Sequence, residues 1–168
     1  YKGFDLNVFF TFVSGNSIYN QGGIYMEGGL GNGFDIQTTR YLNAWKKQSA
    51  VLIGFSQGAD VMPFVVNRLP ATTRERLRMV ALLSLSNTAV FEFHLQNWLG
   101  ATSGSLPVTP ELLRMKAVRG LCVYGADETE SLCAKPAAKS LQVVKLRGGH
   151  HLDGNYARLA SLLLSHMR

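Results

Sequence analysis

Gly54-Phe55-Ser56-Gln57-Gly58 is the stretch whose residue types and spacing could do the most chemistry. It follows the apolar run Ala50–Ile53 and opens a helical pattern, so Ser56 is expected on a strained turn between a strand and a helix. Glycine on either side lets neighbouring backbone approach without a Cβ clash. A helix beginning just after the serine would set partial positive charge beside an oxyanion forming there. Nucleophilic acyl transfer needs this arrangement. A bare Gly-x-Ser-x-Gly arises by chance in many chains; the strand before it and the helix after it give it meaning.

A serine hydroxyl is a poor nucleophile without a base. Of the histidines, His150 and His151 follow the last apolar run and a glycine pair, Gly148-Gly149. The base belongs there when the chain order is serine, acid, histidine. His150 is the expected base and His151 the alternative. His94 lies among Phe91, Phe93 and Trp98 and reads as a pocket-wall or packed residue, whereas His166 reads as solvated. The acid should follow the preceding strand, in Asp127-Glu128-Thr129-Glu130. Asp127 is favoured as the group that orients the imidazole, with Glu128 close behind and Glu130 third. An oxyanion hole would combine the Gln57 N–H with a second N–H from Gly15 or Asn16, after the first strand. The His-His pair lacks a set of partner ligands, so no metal is expected, and no cofactor.

These residues need a scaffold. Leu6–Val13, Ala50–Ile53, Met79–Leu85, Gly120–Tyr124 and Leu141–Leu146 read as strands: short, apolar and without strict alternation, as in a parallel sheet covered on both faces. Helical patterns lie between them. Thr38–Lys47 sets Tyr41, Leu42 and Trp45 on one side, and Gln57–Leu69 carries Val61, Val65 and Leu69 at every fourth residue. Pro63 should kink that second helix. Tyr156–Met167 closes the chain with a leucine-rich face. Strands alternating with helices predict an α/β fold: an α/β-hydrolase-like three-layer sandwich with a mostly parallel central sheet, in one domain over residues 1–168. Glycines crowd residues 15–35 without a dinucleotide fingerprint, which predicts a loop over the active face. Asn97–Pro110 reads as a rim loop.

Composition sets the outer bounds. The chain has 168 residues, of which 46% are hydrophobic and 17% charged, enough for a folded core and unlike a disordered chain. No run reaches the ~20 apolar residues of a membrane helix, and no signal peptide is visible. The formal charge of +6 favours acidic partners. Its basic residues are scattered, Lys46-Lys47 and the Arg74, Arg76, Arg78 group apart, and the arginines read as one solvated helical stretch. Nucleic acid is not expected as a partner. Cys122 and Cys133 could be bridged or free and buried; spacing alone leaves both open.

Several joined motifs resemble the AcvB/VirJ bacterial virulence protein family. They are Gly54 through Phe64 with Asn67-Arg68-Leu69-Pro70, then Phe91-Glu92-Phe93-His94 and Trp98-Leu99-Gly100. Leu121 through Gly125, Ser131-Leu132-Cys133, and Gly148-Gly149-His150-His151-Leu152-Asp153-Gly154 with Tyr156 continue the series. The resemblance covers roughly residues 36–168. It implies a periplasmic serine esterase that cleaves the aminoacyl ester of aminoacyl-phosphatidylglycerol, lysyl or alanyl, at a membrane surface. It also implies a link to virulence and type IV secretion, with secretion-system proteins as partners and a Cys122–Cys133 disulfide. Asp60, Glu92, His94 and Asp153 are the pocket candidates, the acidic ones for meeting a substrate ammonium. Before Ser56 the chain departs from the family, whose further strand and second motif are shortened or missing. The competing expectations are a general carboxylesterase or lipase, and a non-catalytic binding partner of secretion components.

Overall fold

The computed structural model describes residues 8–11, 13–14, 17–18, 35, 38–40, 42–90, 105–115 and 118–167, those before residue 35 by backbone alone. Strands β1 (Val8–Thr11), β4 (Ala50–Phe55), β5 (Leu77–Leu83), β8 (Gly120–Gly125) and β9 (Gln142–Leu146) form one sheet in the order β1-β4-β5-β8-β9. Every neighbouring pair in it is parallel. Parallel neighbours need crossovers, and the one from β8 to β9 runs through two 3₁₀ turns, Leu132–Ala134 and Pro136–Ser140. Helix α1 (Gln57–Arg68) links β4 to β5, followed by the short α2 (Ala71–Arg74). Helix α3 (Thr109–Arg114) precedes β8, and α4 (Tyr156–His166) follows β9.

The absence of strict alternation in the strands is explained by two cores. Ala50 and Leu52 of β4 turn to one face, where they meet Met62, Phe64 and Val66 of α1 and Leu112 of α3. Val51 and Ile53 turn to the other, with Met79, Leu121 and Val123, and with Leu159 and Leu163 of α4. A strand buried on both faces has no polar side to show. The edge strand β9 differs from this expectation: Gln142, Val143 and Lys145 are exposed, and only Leu146 is buried. An exposed lysine on an outer strand discourages pairing with another chain.

Of the first expected strand, Leu6–Val13, the described residues Val8–Thr11 form β1. Val13–Ser14 leaves the main sheet as β2 and pairs antiparallel with β3 (Ser17–Ile18). Helix α1 runs unbroken through Pro63. Leu42 is fully buried, but Trp45, expected beside it, is 47% exposed; Tyr41 lies outside the described residues. The expected rim loop contains β7 (Ser105–Pro107), paired antiparallel with β6 (Thr88–Val90), and then the start of α3. The arginine group is not one helical stretch. Arg74 ends α2, Arg78 lies in β5, and Arg76 between them donates to the backbone carbonyls of Gln48 and Lys47. The glycine-rich stretch at 19–34 lies outside the described residues.

Candidate active site

Ser56 stands between β4 and α1 with φ 55° and ψ −124°, a left-handed conformation that L-residues rarely adopt. Its N–H donates to the Leu83 carbonyl, and its carbonyl accepts from Ala59 and Asp60, so the bend is held from both sides. A Cβ on Gly54 would sit 2.4 Å from the Gly58 carbonyl oxygen and 2.7 Å from the Ala59 nitrogen, which makes glycine obligatory there. Serine is a favoured helix N-cap, yet Ser56 makes no side-chain capping bond to α1. Its Oγ instead lies 2.9 Å from His150 Nε2.

The imidazole is held from behind. His150 Nδ1 lies 2.9 Å from Glu128 Oε1, and the Phe55 ring lies 5.2 Å from the His150 ring, centroid to centroid. Glu128 Oε2 accepts the Gly125 N–H at 2.7 Å and faces the Ser84 hydroxyl at 3.0 Å. With Nδ1–H donating to the carboxylate, Nε2 carries the lone pair that faces Ser56. Donor, base and acid thus stand in one line.

Asp127, the favoured acid, is not in that line. The Glu128 N–H closes a turn onto the Gly125 carbonyl, which folds the Glu128 side chain back over the end of β8. Asp127 sits at the outer position of the turn: its N–H donates to the Gly148 carbonyl and its residue is exposed. Glu130 is likewise exposed and pairs with Lys135. His151 packs edge-on against His150 at 5.7 Å and against Phe55, and it is His150 that meets Ser56.

Glycine backbone brings the acid and histidine loops together. A Cβ on Gly125 would fall 2.2 Å from the Gly149 carbonyl oxygen and 2.4 Å from that of Gly148. Gly148 has φ +83°. This close approach at the ends of the paired strands β8 and β9 sets the Glu128 loop beside the His150 loop. Cys122 and Cys133 are joined in a disulfide that closes the segment bearing Glu128. Sequence reasoning had no signal for Ser84, Phe55 or the Gly125 contact.

For an oxyanion, Gln57 opens α1, and the first N–H groups of a helix have no intrahelical acceptor. The second expected donor, Gly15 or Asn16, lies outside the described residues, as do the pocket candidates Glu92 and His94. Asp60 lies one helical turn beyond Ser56, is 5% exposed, and accepts the Ser86 N–H at 2.7 Å. Burial pushes its carboxyl up to about 6 from 3.8, against the lowering effect of the Ser86 hydrogen bonds and of His150. The Asp153 carboxylate accepts the Asn155 N–H and pairs with Arg158 at the start of α4. Among the described residues no three His, Cys, Asp or Glu side chains cluster as metal ligands would.

Solved structures share this fold. Naproxen esterase from Bacillus subtilis is 14% identical, with 85% of this chain and 68% of that chain covered at a TM-score of 0.52. The thioesterase domain from the curacin biosynthetic pathway is 18% identical over 80% of this chain and 73% of that one, at 0.50. A variant of the meta-cleavage product hydrolase CumD is 12% identical over 83% and 72%, at 0.50. The fold is that of the α/β-hydrolases. No curated protein matches the sequence. The profile described as bacterial virulence protein (VirJ) matches residues 30–168, most of the chain and all of Ser56, Glu128 and His150, and the chain belongs to that family.

Proposed function

We propose that the protein is a serine esterase that hydrolyses the aminoacyl ester of aminoacyl-phosphatidylglycerol, lysyl or alanyl, in the periplasm, in connection with virulence and type IV secretion. The observation that carries an esterase is the alignment of Ser56 Oγ, the His150 ring and the Glu128 carboxylate at 2.9 Å on either side of the imidazole. Membership of the VirJ family supports the lipid substrate.

In this mechanism Ser56 Oγ attacks the ester carbonyl while His150 Nε2 takes its proton. Glu128 accepts the Nδ1–H and steadies the imidazolium. The Gln57 N–H meets the developing oxyanion at the positive end of α1. His150 then returns the proton to the leaving glycerol oxygen, phosphatidylglycerol departs, and the aminoacyl group stays on Ser56. Water, deprotonated by the same imidazole, attacks this acyl-enzyme and releases the amino acid. Asp60, one turn along from Ser56, is the carboxylate this reading assigns to the substrate ammonium.

The disulfide supports an oxidising compartment such as the periplasm. The charge of +6 supports work at an anionic lipid surface. Two measurements test the reading. Ser56→Ala should lower kcat on aminoacyl-phosphatidylglycerol by about 10³-fold or more and abolish labelling by a fluorophosphonate; near-wild-type turnover would refute the nucleophile. A kcat/KM no higher on the aminoacyl lipid than on a short-chain ester would make the protein a general carboxylesterase.

A further inference from the structure

Ser84 directly follows β5 in a left-handed conformation, φ 55°, and is 1% exposed. Serine there is strained, and a glycine would not be. Its N–H is already used, donating to the Val123 carbonyl, so the backbone alone does not call for a side chain. The hydroxyl is the distinguishing group. Its oxygen lies 3.0 Å from Glu128 Oε2 and 2.9 Å from the His150 carbonyl oxygen. One hydroxyl therefore touches both loops that supply the relay, from the end of a third strand lying between the nucleophile's strand and the acid's.

We propose that Ser84 is a positioning residue that sets the reaction rate: its one hydroxyl proton goes to Glu128 Oε2, with the His150 carbonyl as the competing acceptor, and so aims Oε1 at the imidazole. Glu128 Oε2 then has two donors, Gly125 N–H and Ser84 O–H, and the carboxylate cannot rotate about its terminal bond without losing one of them. Without the hydroxyl a single backbone N–H holds Oε2, and Oε1 is free to leave Nδ1. A hydrogen bond to an ionised group is among the stronger ones in a protein. Its loss should appear when the imidazolium forms, and hence in kcat.

This inference rests on the esterase reading above. The test uses the full chain with Ser84→Ala, Ser84→Gly and Ser56→Ala assayed side by side on a short-chain ester, with melting temperatures. Both Ser84 variants should lose about tenfold in kcat with KM within about twofold. Ser84→Gly should do so while melting within a few degrees of wild type, because relief of the left-handed strain offsets the lost bond. A kcat within about twofold of wild type in either variant overturns the proposal. So does loss of folding in both, which would make the hydroxyl a structural one. If Ser56→Ala retains activity, the esterase reading itself fails, whatever the Ser84 variants do.

Discussion

Glu128 and Asp127 are chemically near-equivalent neighbours, and the fold separates them by one turn. The hydrogen bond from the Glu128 N–H to the Gly125 carbonyl decides which carboxylate faces inward. Glu128→Gln keeps the shape and removes the charge that offsets the imidazolium, so kcat should fall by about 10²-fold or more. Asp127→Asn should leave kcat within about twofold; the reverse pattern in steady-state ester hydrolysis would restore Asp127 as the acid. The sequence exposes Ser56 and His150 because their neighbours are distinctive, glycines at fixed offsets beside a strand end. It leaves the acid open because turn length, not residue type, chooses it. Asp60 carries a second residue-scale prediction. Its folded carboxyl, at about 6, binds a proton more tightly than the unfolded group at 3.8. That contribution to stability is fully present below pH 3.8 and is lost as pH rises through about 6. Asp60→Asn should therefore stabilise the protein relative to wild type by a few degrees near neutral pH, the equivalent of at most roughly 3 kcal/mol, and by little near pH 4. Thermal melts at the two pH values check the sign.

At the scale of elements, strands and long helices were legible because burial imposes composition. Ala50–Phe55 is apolar throughout since both faces are covered, whereas α1 is buried more broadly than a stripe of Val61, Val65 and Leu69: Met62 through Val66 are all buried and Val61 is half-buried. The hairpin of β6 and β7 was not legible: its partners are distant in sequence, and Pro107 lies within the pairing. A buried polar clamp was also hidden. Glu111 of α3 accepts Asn67 Nδ2–H at 2.7 Å and pairs with Arg68 at 3.2 Å, tying α3 to the end of α1. Nothing about a lone glutamate beside Pro110 announces this. The disulfide has the more direct bearing on the site. It ties Cys122 in β8 to Cys133, eleven positions later, across the segment that carries Glu128. Closing so short a loop stabilises by about 2–3 kcal/mol in the chain-entropy account. The Cys122→Ala/Cys133→Ala double variant should melt roughly 5–10 °C lower and lose more in kcat than in KM, because the acid's loop is loosened while the surface near Ser56 is unchanged. Calorimetry with ester assays reads both effects.

Across the whole molecule, charge is the property that the site geometry does not explain. On the esterase reading, Ser56, His150 and Glu128 need no basic protein around them to act on a soluble short-chain ester. A net +6 raises the local concentration of an enzyme at an anionic bilayer, where each basic residue near the surface contributes about 1 kcal/mol. If the proposed substrate is lysyl-phosphatidylglycerol, its headgroup is itself cationic, and the attraction is then to the surrounding phosphatidylglycerol rather than to that lipid. Two consequences separate surface recruitment from headgroup recognition. On vesicles rich in phosphatidylglycerol, kcat/KM should fall by about fivefold or more as salt rises from roughly 0.05 M to 0.5 M, because screening shortens the reach of the field to a few ångströms. Hydrolysis of a neutral soluble ester should be flat over the same range. Diluting the anionic lipid with a zwitterionic one, at fixed aminoacyl lipid, should reproduce the salt effect. If neither salt nor dilution changes turnover on vesicles, the basic charge serves some purpose other than holding the enzyme to its substrate's membrane.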